Sequence, residues 1–312
     1  MNKPSLRIAF LHEGKAFLPG IKAYTEYFSR MNAECISVNI SEDPIPDADV
    51  HWHFMGMHTA KKIPGTYLIH EYASASVPPF RKSKDFFKRL LNTKPDLRVF
   101  LNKKVEQQLN FSDNIPCCYR DVGIYPEGRK YDGSTEKQYD FIFTGAVTRD
   151  MNFENFLSLF TQGKLRDRNI LILGRTEPVF RNKFSSFSNI IFHGPVPQEE
   201  VIHYLSQSKV AINFKPDIPP YNFQTSTKLL EYLNFGIPVI SNRNQWVENF
   251  LQESGASIYL LEEDYSNADF QAISGFPYVF PDMKNYLWER QIEKSGLPEI
   301  IRKLIEQKGQ SY

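Results

Sequence analysis

The sequence predicts an α/β protein of two domains, each built on an open parallel sheet covered by helices. Three observations carry that reading. Short apolar runs alternate with helix-period segments through most of the 312 residues, the alternation breaks once near the middle, and three runs of the second half end directly in glycine. Strands alternating with helices mark βαβ units, which lay strands parallel in one sheet. A chain of this length divides comfortably into two domains of ordinary size.

In order, "LRIAFL" (6–11), "ECISVNI" (34–40), "VHWHFM" (50–55), "TYLIH" (66–70) and "LRVFLN" (97–102) predict buried strands, with helices over 20–31, 83–92 and 103–110. Residues 114–138 hold turn formers and charges without a period and predict a linker. The alternation then resumes. Strands are predicted over 139–145, 169–174, 189–194, 209–214, 237–242 and 257–263, and helices near 152–163, 179–186, 198–206, 226–235 and 246–254. Gly145, Gly174 and Gly194 end three of these strands, where a ligand can approach the backbone of an open α/β sheet. Residues 283–307 predict two helices parted by Gly296-Leu297-Pro298; with no strand of their own, they must pack on something already built.

Composition narrows the function. Hydrophobic residues make up 41% and charged residues 23%, which is globular, and the net charge of +1 argues against a dedicated nucleic-acid binder. Residues 1–137 hold 20 basic against 16 acidic residues and the remainder 17 against 20, an asymmetry that suits domains with different partners. Cys35, Cys117 and Cys118 are too few for a disulfide framework and have no zinc spacing, as expected of reduced thiols in a cytoplasmic protein. The first apolar run has six residues, too short for a signal or a membrane span, so a soluble or surface-bound protein is expected.

The stretch "TSTKLLEYLNFGIPVISN" (225–242) concentrates chemistry. Thr225 or Ser226 can N-cap a helix, Gly236 suits a left-handed C-cap, and Pro238 prevents continuation. Leu229, Leu230 and Leu233 share the face to be buried, leaving Lys228 and Glu231 together on the other side. Hydroxyls, free amides, the dipole and a lysine gather at one terminus, which makes an anion site. A carboxylate one turn on, roughly 5.4 Å away, can accept from a ribose diol. A nucleoside diphosphate fits both.

This passage, preceded by "NIIFHGPVPQEEVIHYLSQSKVAINF", resembles the nucleotide-binding domain of GT-B glycosyltransferases, especially family 4 and its relatives. The resemblance covers 138–262. It implies two Rossmann-like doubly wound domains facing each other across a cleft, with an acceptor-binding domain at 1–120, a linker at 121–137 and a nucleotide-sugar domain at 138–282. The tail at 283–312, through "NYLWERQIEKSGL", is similar to the helix that crosses back to the first domain. By the same resemblance Glu231 matches the second glutamate of an E-x7-E motif, whose first position is Phe223 here. Lys228 would meet the diphosphate, aided by the amides of Ser226 and Thr227. Gly145 matches the turn below the phosphates, Arg149 a basic residue beside it, and Gly194 to Val196 the loop beside the base. The implied activity is transfer of a sugar from a UDP- or GDP-type donor to a hydroxyl, in surface polysaccharide or other glycan synthesis. The donor is a substrate, and neither cofactor nor metal is expected.

Such chemistry needs a base or orienting group for the acceptor, expected from the first domain. His12-Glu13 and His70-Glu71 each stand at the carboxyl end of a predicted strand; Glu71 is the preferred base and His12 its rival. The D-x-D of "DADV" (47–50) precedes a strand and reads as chance, and "LEED" (261–264) as a solvated strand end. Residues 81–104 carry nine basic and two acidic residues. Within them "KSKDFFKRLLNTK" is a basic amphipathic pattern, able either to pack on the sheet or to bring the enzyme to an anionic membrane and a lipid-linked acceptor. Two other functions share the pattern: a sugar-nucleotide epimerase, and a binding protein without activity.

Overall fold

The structure is a computed structural model that describes residues 5–14, 18–77, 79–126, 130–134, 136–149 and 153–310. It divides into two compact units, Met1–Tyr125 with Asn285–Tyr312, and Pro126–Lys284. The boundary falls inside the stretch expected as linker, of which 127–129 and 135 lie outside the described residues.

The first unit contains β1 (Leu6–His12), α1 (Pro19–Ser29), β2 (Ala33–Asn39), β3 (Val50–Phe54), β4 (Tyr67–Tyr72), α2 (Arg81–Leu91), β5 (Leu97–Phe100), α3 (Lys103–Leu109) and β6 (Cys117–Tyr119). Its strand order is β2-β1-β3-β4-β5-β6, all parallel, so the order reverses at β1. β5 is buried at every position, as a parallel strand covered on both faces must be. β6 lies in the stretch read as linker: three residues are too few to show a period, and pairing with β5 makes it a strand.

The second unit contains β7 (Tyr139–Thr144), α4 (Glu154–Leu157), β8 (Ile170–Leu173), α5 (Pro178–Phe184), β9 (Ile190–Gly194), α6 (Gln198–Ser206), β10 (Ser208–Asn213), α7 (Thr227–Phe235), β11 (Val239–Asn242), α8 (Gln245–Ser254), β12 (Tyr259–Leu261) and α9 (Phe270–Ser274). Its order, β12-β11-β10-β7-β8-β9, reverses between β7 and β10, the doubly wound arrangement of dinucleotide-binding sheets. Phe141, Phe143, Phe153, Phe156 and Phe160 fill one side of the core. The helix predicted over 152–163 is instead the short α4 followed by a tighter turn over Ser158–Phe160. Ser158 and Thr161 turn their hydroxyls back to the carbonyls of Glu154 and Ser158, which competes with a regular helix.

The chain ends in α10 (Trp288–Lys294) and α11 (Leu297–Gly309), which belong to the first unit. Trp288, Ile292, Leu297 and Ile301 join the core around Phe10, Tyr24, Phe28 and Trp52. Gly123 makes this docking possible: a Cβ there would lie 2.5 Å from the Trp288 Cα. Among the described residues no helix is long and apolar enough to cross a membrane.

Candidate functional site

Ligands of open α/β sheets bind outside the carboxyl ends of the strands, where strand order reverses. In the second unit that point lies between β7 and β10. Gly145, Gly174 and Gly194 form a shelf beginning there, with φ of +123°, +146° and +100°, where side chains are disfavoured. The Gly145 amide donates to the Leu173 carbonyl at 2.7 Å and the Gly174 amide to the Gly194 carbonyl at 2.8 Å. A Cβ on Gly174 would lie 2.2 Å from the Gly145 carbonyl oxygen, so only glycine lets these turns stack.

α7 abuts the shelf. Leu229, Leu230 and Leu233 are buried as their spacing predicts, and Gly236 ends the helix with φ +86°. Tyr232 fixes its height: its hydroxyl shares a hydrogen bond with Thr144 Oγ1 at 2.7 Å and accepts the Thr144 amide at 3.1 Å. Lys228 is thereby set against the end of β7, Nζ 4.0 Å from the Phe143 ring centre and 3.0 Å from where a Gly145 Cβ would be.

Ser226 occupies the N-cap position, but its hydroxyl does not cap the helix. It donates at 2.6 Å to Asn213 Oδ1 at the end of β10, whose amide nitrogen donates to Ser241 Oγ at 2.8 Å. The expected cap is corrected by this tertiary bond, which leaves the first-turn amides of Thr227 and Lys228 without a side-chain acceptor from Ser226. A residue the sequence did not single out completes the terminus. Lys215, just past β10, donates Nζ to the Thr225 and Gln224 carbonyls at 2.9 and 3.3 Å. Burial, then the neighbouring Lys215 charge, push the Lys228 ammonium down to about 7, with Glu231 opposing. A desolvated lysine beside a second lysine and a helix N-terminus is an environment that lacks negative charge.

Glu231, one turn along α7, accepts from Gln198 Nε2 at 3.1 Å. Gln198 opens α6 directly after the Gly194–Pro197 loop, so Glu231 and the loop holding Val196 come together. Gly145, Ser226, Thr227 and Lys228 likewise share one end of the sheet. Arg149 is exposed and pairs with Glu177 at 3.5 Å.

In the first unit the two His-Glu pairs differ. Glu71 is 1% exposed and sits in a buried network. Its Oε1 is paired with Arg120, and its Oε2 accepts from Trp52 Nε1 at 2.9 Å and Tyr24 hydroxyl at 3.1 Å. Arg120 Nε donates to the Tyr24 hydroxyl at 2.7 Å. The expected base is therefore taken up by structural donors on both oxygens. His70 is fully buried with Nε2 3.1 Å from His58 Nδ1, and burial pushes it down to about 2. Both side chains are closed off from solvent. His12 does line open space: with Leu18, Ile21, Lys22, Thr25 and Ser37 it borders a cavity of about 570 Å³. Its Nδ1 accepts the Gly14 amide at 3.1 Å, so the ring proton lies on Nε2 and is directed to Ser37 Oγ at 3.0 Å. Glu13 adjoins it, its backbone carbonyl 3.5 Å from Ser41 Oγ.

Asp49 of the D-x-D accepts the Arg7 amide at 2.7 Å and Lys308 Nζ at 2.6 Å, a structural tie at the start of β3. Among the described residues no group of three or more His, Cys, Asp or Glu is placed to hold a metal ion.

Comparison with known proteins agrees with this architecture. The family described as "Glycosyl transferase-like" matches residues 154–265. Among curated proteins none matches the chain significantly. Among solved structures, HepE of Anabaena in complex with UDP and glucose is similar over 98% of this chain and 99% of its own, at 9% identity and a TM-score of 0.59. A glycosyltransferase of Rickettsia africae is similar over 98% of each chain, at 12% identity and TM-score 0.59. AviGT4, a glycosyltransferase of avilamycin A biosynthesis, is similar over 97% of each chain, at 14% identity and TM-score 0.57. The chain has the fold of these GT-B glycosyltransferases: two Rossmann-like domains, each with a six-stranded parallel sheet.

Proposed function

We propose that the protein is a glycosyltransferase that takes a sugar from a nucleoside diphosphate sugar and places it on an acceptor hydroxyl. One observation carries this reading: Lys228 stands at the N-terminus of α7, against the glycine shelf, at the reversal point of the second sheet. Transfer breaks the bond between the anomeric carbon and a diphosphate oxygen, so negative charge grows on the leaving group. Lys228, Lys215 and the α7 amides supply preorganised positive charge there, and we assign the role to them rather than to a metal. Glu231 is one turn further on, where a ribose diol of the same ligand would meet its carboxylate. The likeness to a fold solved with UDP and glucose supports UDP as the first nucleotide to test.

For the acceptor we favour His12 over Glu71. Both Glu71 oxygens are taken by Arg120, Trp52 and Tyr24, whereas His12 borders a cavity able to hold an acceptor. We assign His12 Nδ1, in place of its bond from the Gly14 amide, to take the proton that the acceptor hydroxyl gives up as the diphosphate leaves. The bond from Nε2 to Ser37 holds the ring as it becomes charged.

Calorimetry with UDP and UDP-sugars tests the donor site. Wild-type protein is expected to bind them, Glu231→Ala to lose roughly tenfold or more in affinity through the ribose contact, and Lys228→Ala to slow sugar release from the donor. Variants that bind and turn over like the parent would show α7 to be an ordinary surface helix.

A further inference from the structure

α2 is built inside out. Of its eleven residues only Asp85 is buried, while Phe86, Phe87, Leu90 and Leu91 are about half exposed or more, Leu90 reaching 65%. The polar groups hold it down. Asp85 accepts from the Ser76 amide and from Gln108 Nε2, each at 3.3 Å. Lys84 Nζ donates to the Val77 carbonyl at 3.2 Å and Arg89 to the Leu109 carbonyl at 3.3 Å. An amphipathic helix ordinarily buries its apolar face; here water receives it.

The residue before the helix repeats the pattern. Phe80 has φ +61°, a left-handed backbone that bulky residues rarely adopt, and the residue is 78% exposed. This backbone starts the helix, the Phe80 carbonyl accepting the Lys84 amide at 3.0 Å, and it leaves the side chain to solvent. Phe87 and Leu91 fall on one stripe of the helix, with Phe86 and Leu90 beside it. The apolar surface continues into a cavity of about 600 Å³ lined by Met55, Met57, Val77, Phe87 and Leu91. Exposed basic groups, Lys82, Lys84 and Arg89, flank it, and the helix holds five basic residues against one acid.

We propose that this face docks on an anionic lipid bilayer, with the phenylalanines and Leu90 in the acyl boundary and the lysines and arginines at the headgroup phosphates. Charge selects this occupant: an apolar strip edged by cations matches a negatively charged interface, whereas a second copy would set like charges against each other. The inference stands independently of the transfer reading, since it uses no residue of the nucleotide site.

Co-sedimentation with vesicles tests it. The full chain is expected to pellet with phosphatidylcholine vesicles carrying about 30% phosphatidylglycerol, and to remain in solution with phosphatidylcholine alone or in high salt. Phe86→Ser with Leu90→Ser is expected to weaken vesicle binding about tenfold or more. Both side chains already face solvent, so the variant's thermal midpoint should match the parent's. Absence of binding to the anionic vesicles, or equal binding by the double variant, would overturn the proposal. So would a concentration-dependent dimer that the double variant abolishes, because the face would then belong to a second copy.

Discussion

The lowered ammonium of Lys228 makes the pH dependence of donor binding a quantitative test. In the free protein burial, and then the Lys215 charge, lower the Lys228 ammonium to about 7. A bound diphosphate favours the protonated form and restores the ammonium towards its usual range. Affinity should then follow the fraction of free protein that carries the proton, and fall as pH rises. With a midpoint of about 7, that fraction drops from about three-quarters at pH 6.5 to about 3% at pH 8.5. The affinity loss is roughly 25-fold, about 1.9 kcal/mol at 1.36 kcal/mol per decade. Titrating a UDP-sugar rather than UDP keeps the ligand's phosphate charge constant over this interval. At pH 8 the same linkage requires uptake of about 0.9 proton per nucleotide, measurable by calorimetry in buffers of different ionisation enthalpy. Lys228→Arg, charged throughout, should bind with a flat profile, separating this effect from other groups that titrate nearby. A wild-type affinity that is constant from pH 6.5 to 8.5 would refute the idea that an anion meets a desolvated Lys228.

Two further predictions concern the first unit. Glu71→Gln leaves Arg120 buried without its counter-ion, and unpaired buried charges cost about 3–5 kcal/mol, so thermal unfolding should shift down sharply. Were Glu71 the base instead, the same change would abolish transfer with little loss of stability, and the two measurements together decide. The buried histidines make the fold acid-sensitive. His53 is held down to about 3 and His70 to about 2, chiefly by burial, and His58 is lowered as well. Below pH 6.5 the unfolded chain therefore binds protons that the native one refuses, and stability falls as pH drops, continuing towards pH 3 and 2. The slope is about 1.4 kcal/mol per pH unit for each such histidine, so the thermal midpoint should fall between pH 7.5 and pH 5. A midpoint unchanged across that interval would show that these rings charge freely in the native state.

The parallel sheets were legible because strands covered on both faces read as continuous apolar runs, and those at 139–145, 169–174 and 189–194 end in a glycine that geometry requires. α7 was legible for local reasons too, since Gly236 and Pro238 stop it and three leucines choose its face. What the sequence concealed was availability. Ser226 has the chemistry of a cap, but Asn213, thirteen positions back, takes its hydroxyl. Glu71 stands near the carboxyl end of its strand, where a base is expected, yet Arg120 and Tyr24, 49 and 47 positions away, hold its carboxylate. Lys215 gave no signal, because only the turn between β10 and α7 brings it to the Thr225 carbonyl. α2 shows the same division. Its spacing announces two faces, but nothing local says which is inside, and the choice was made by Ser76 and Gln108 reaching Asp85. Periodicity reports which side chains share a face; long-range hydrogen bonds decide which remain free to act. In this chain that distinction moves our proposed acceptor-side residue from Glu71 to His12, and of the two roles open to the basic helix it favours the docking surface we propose.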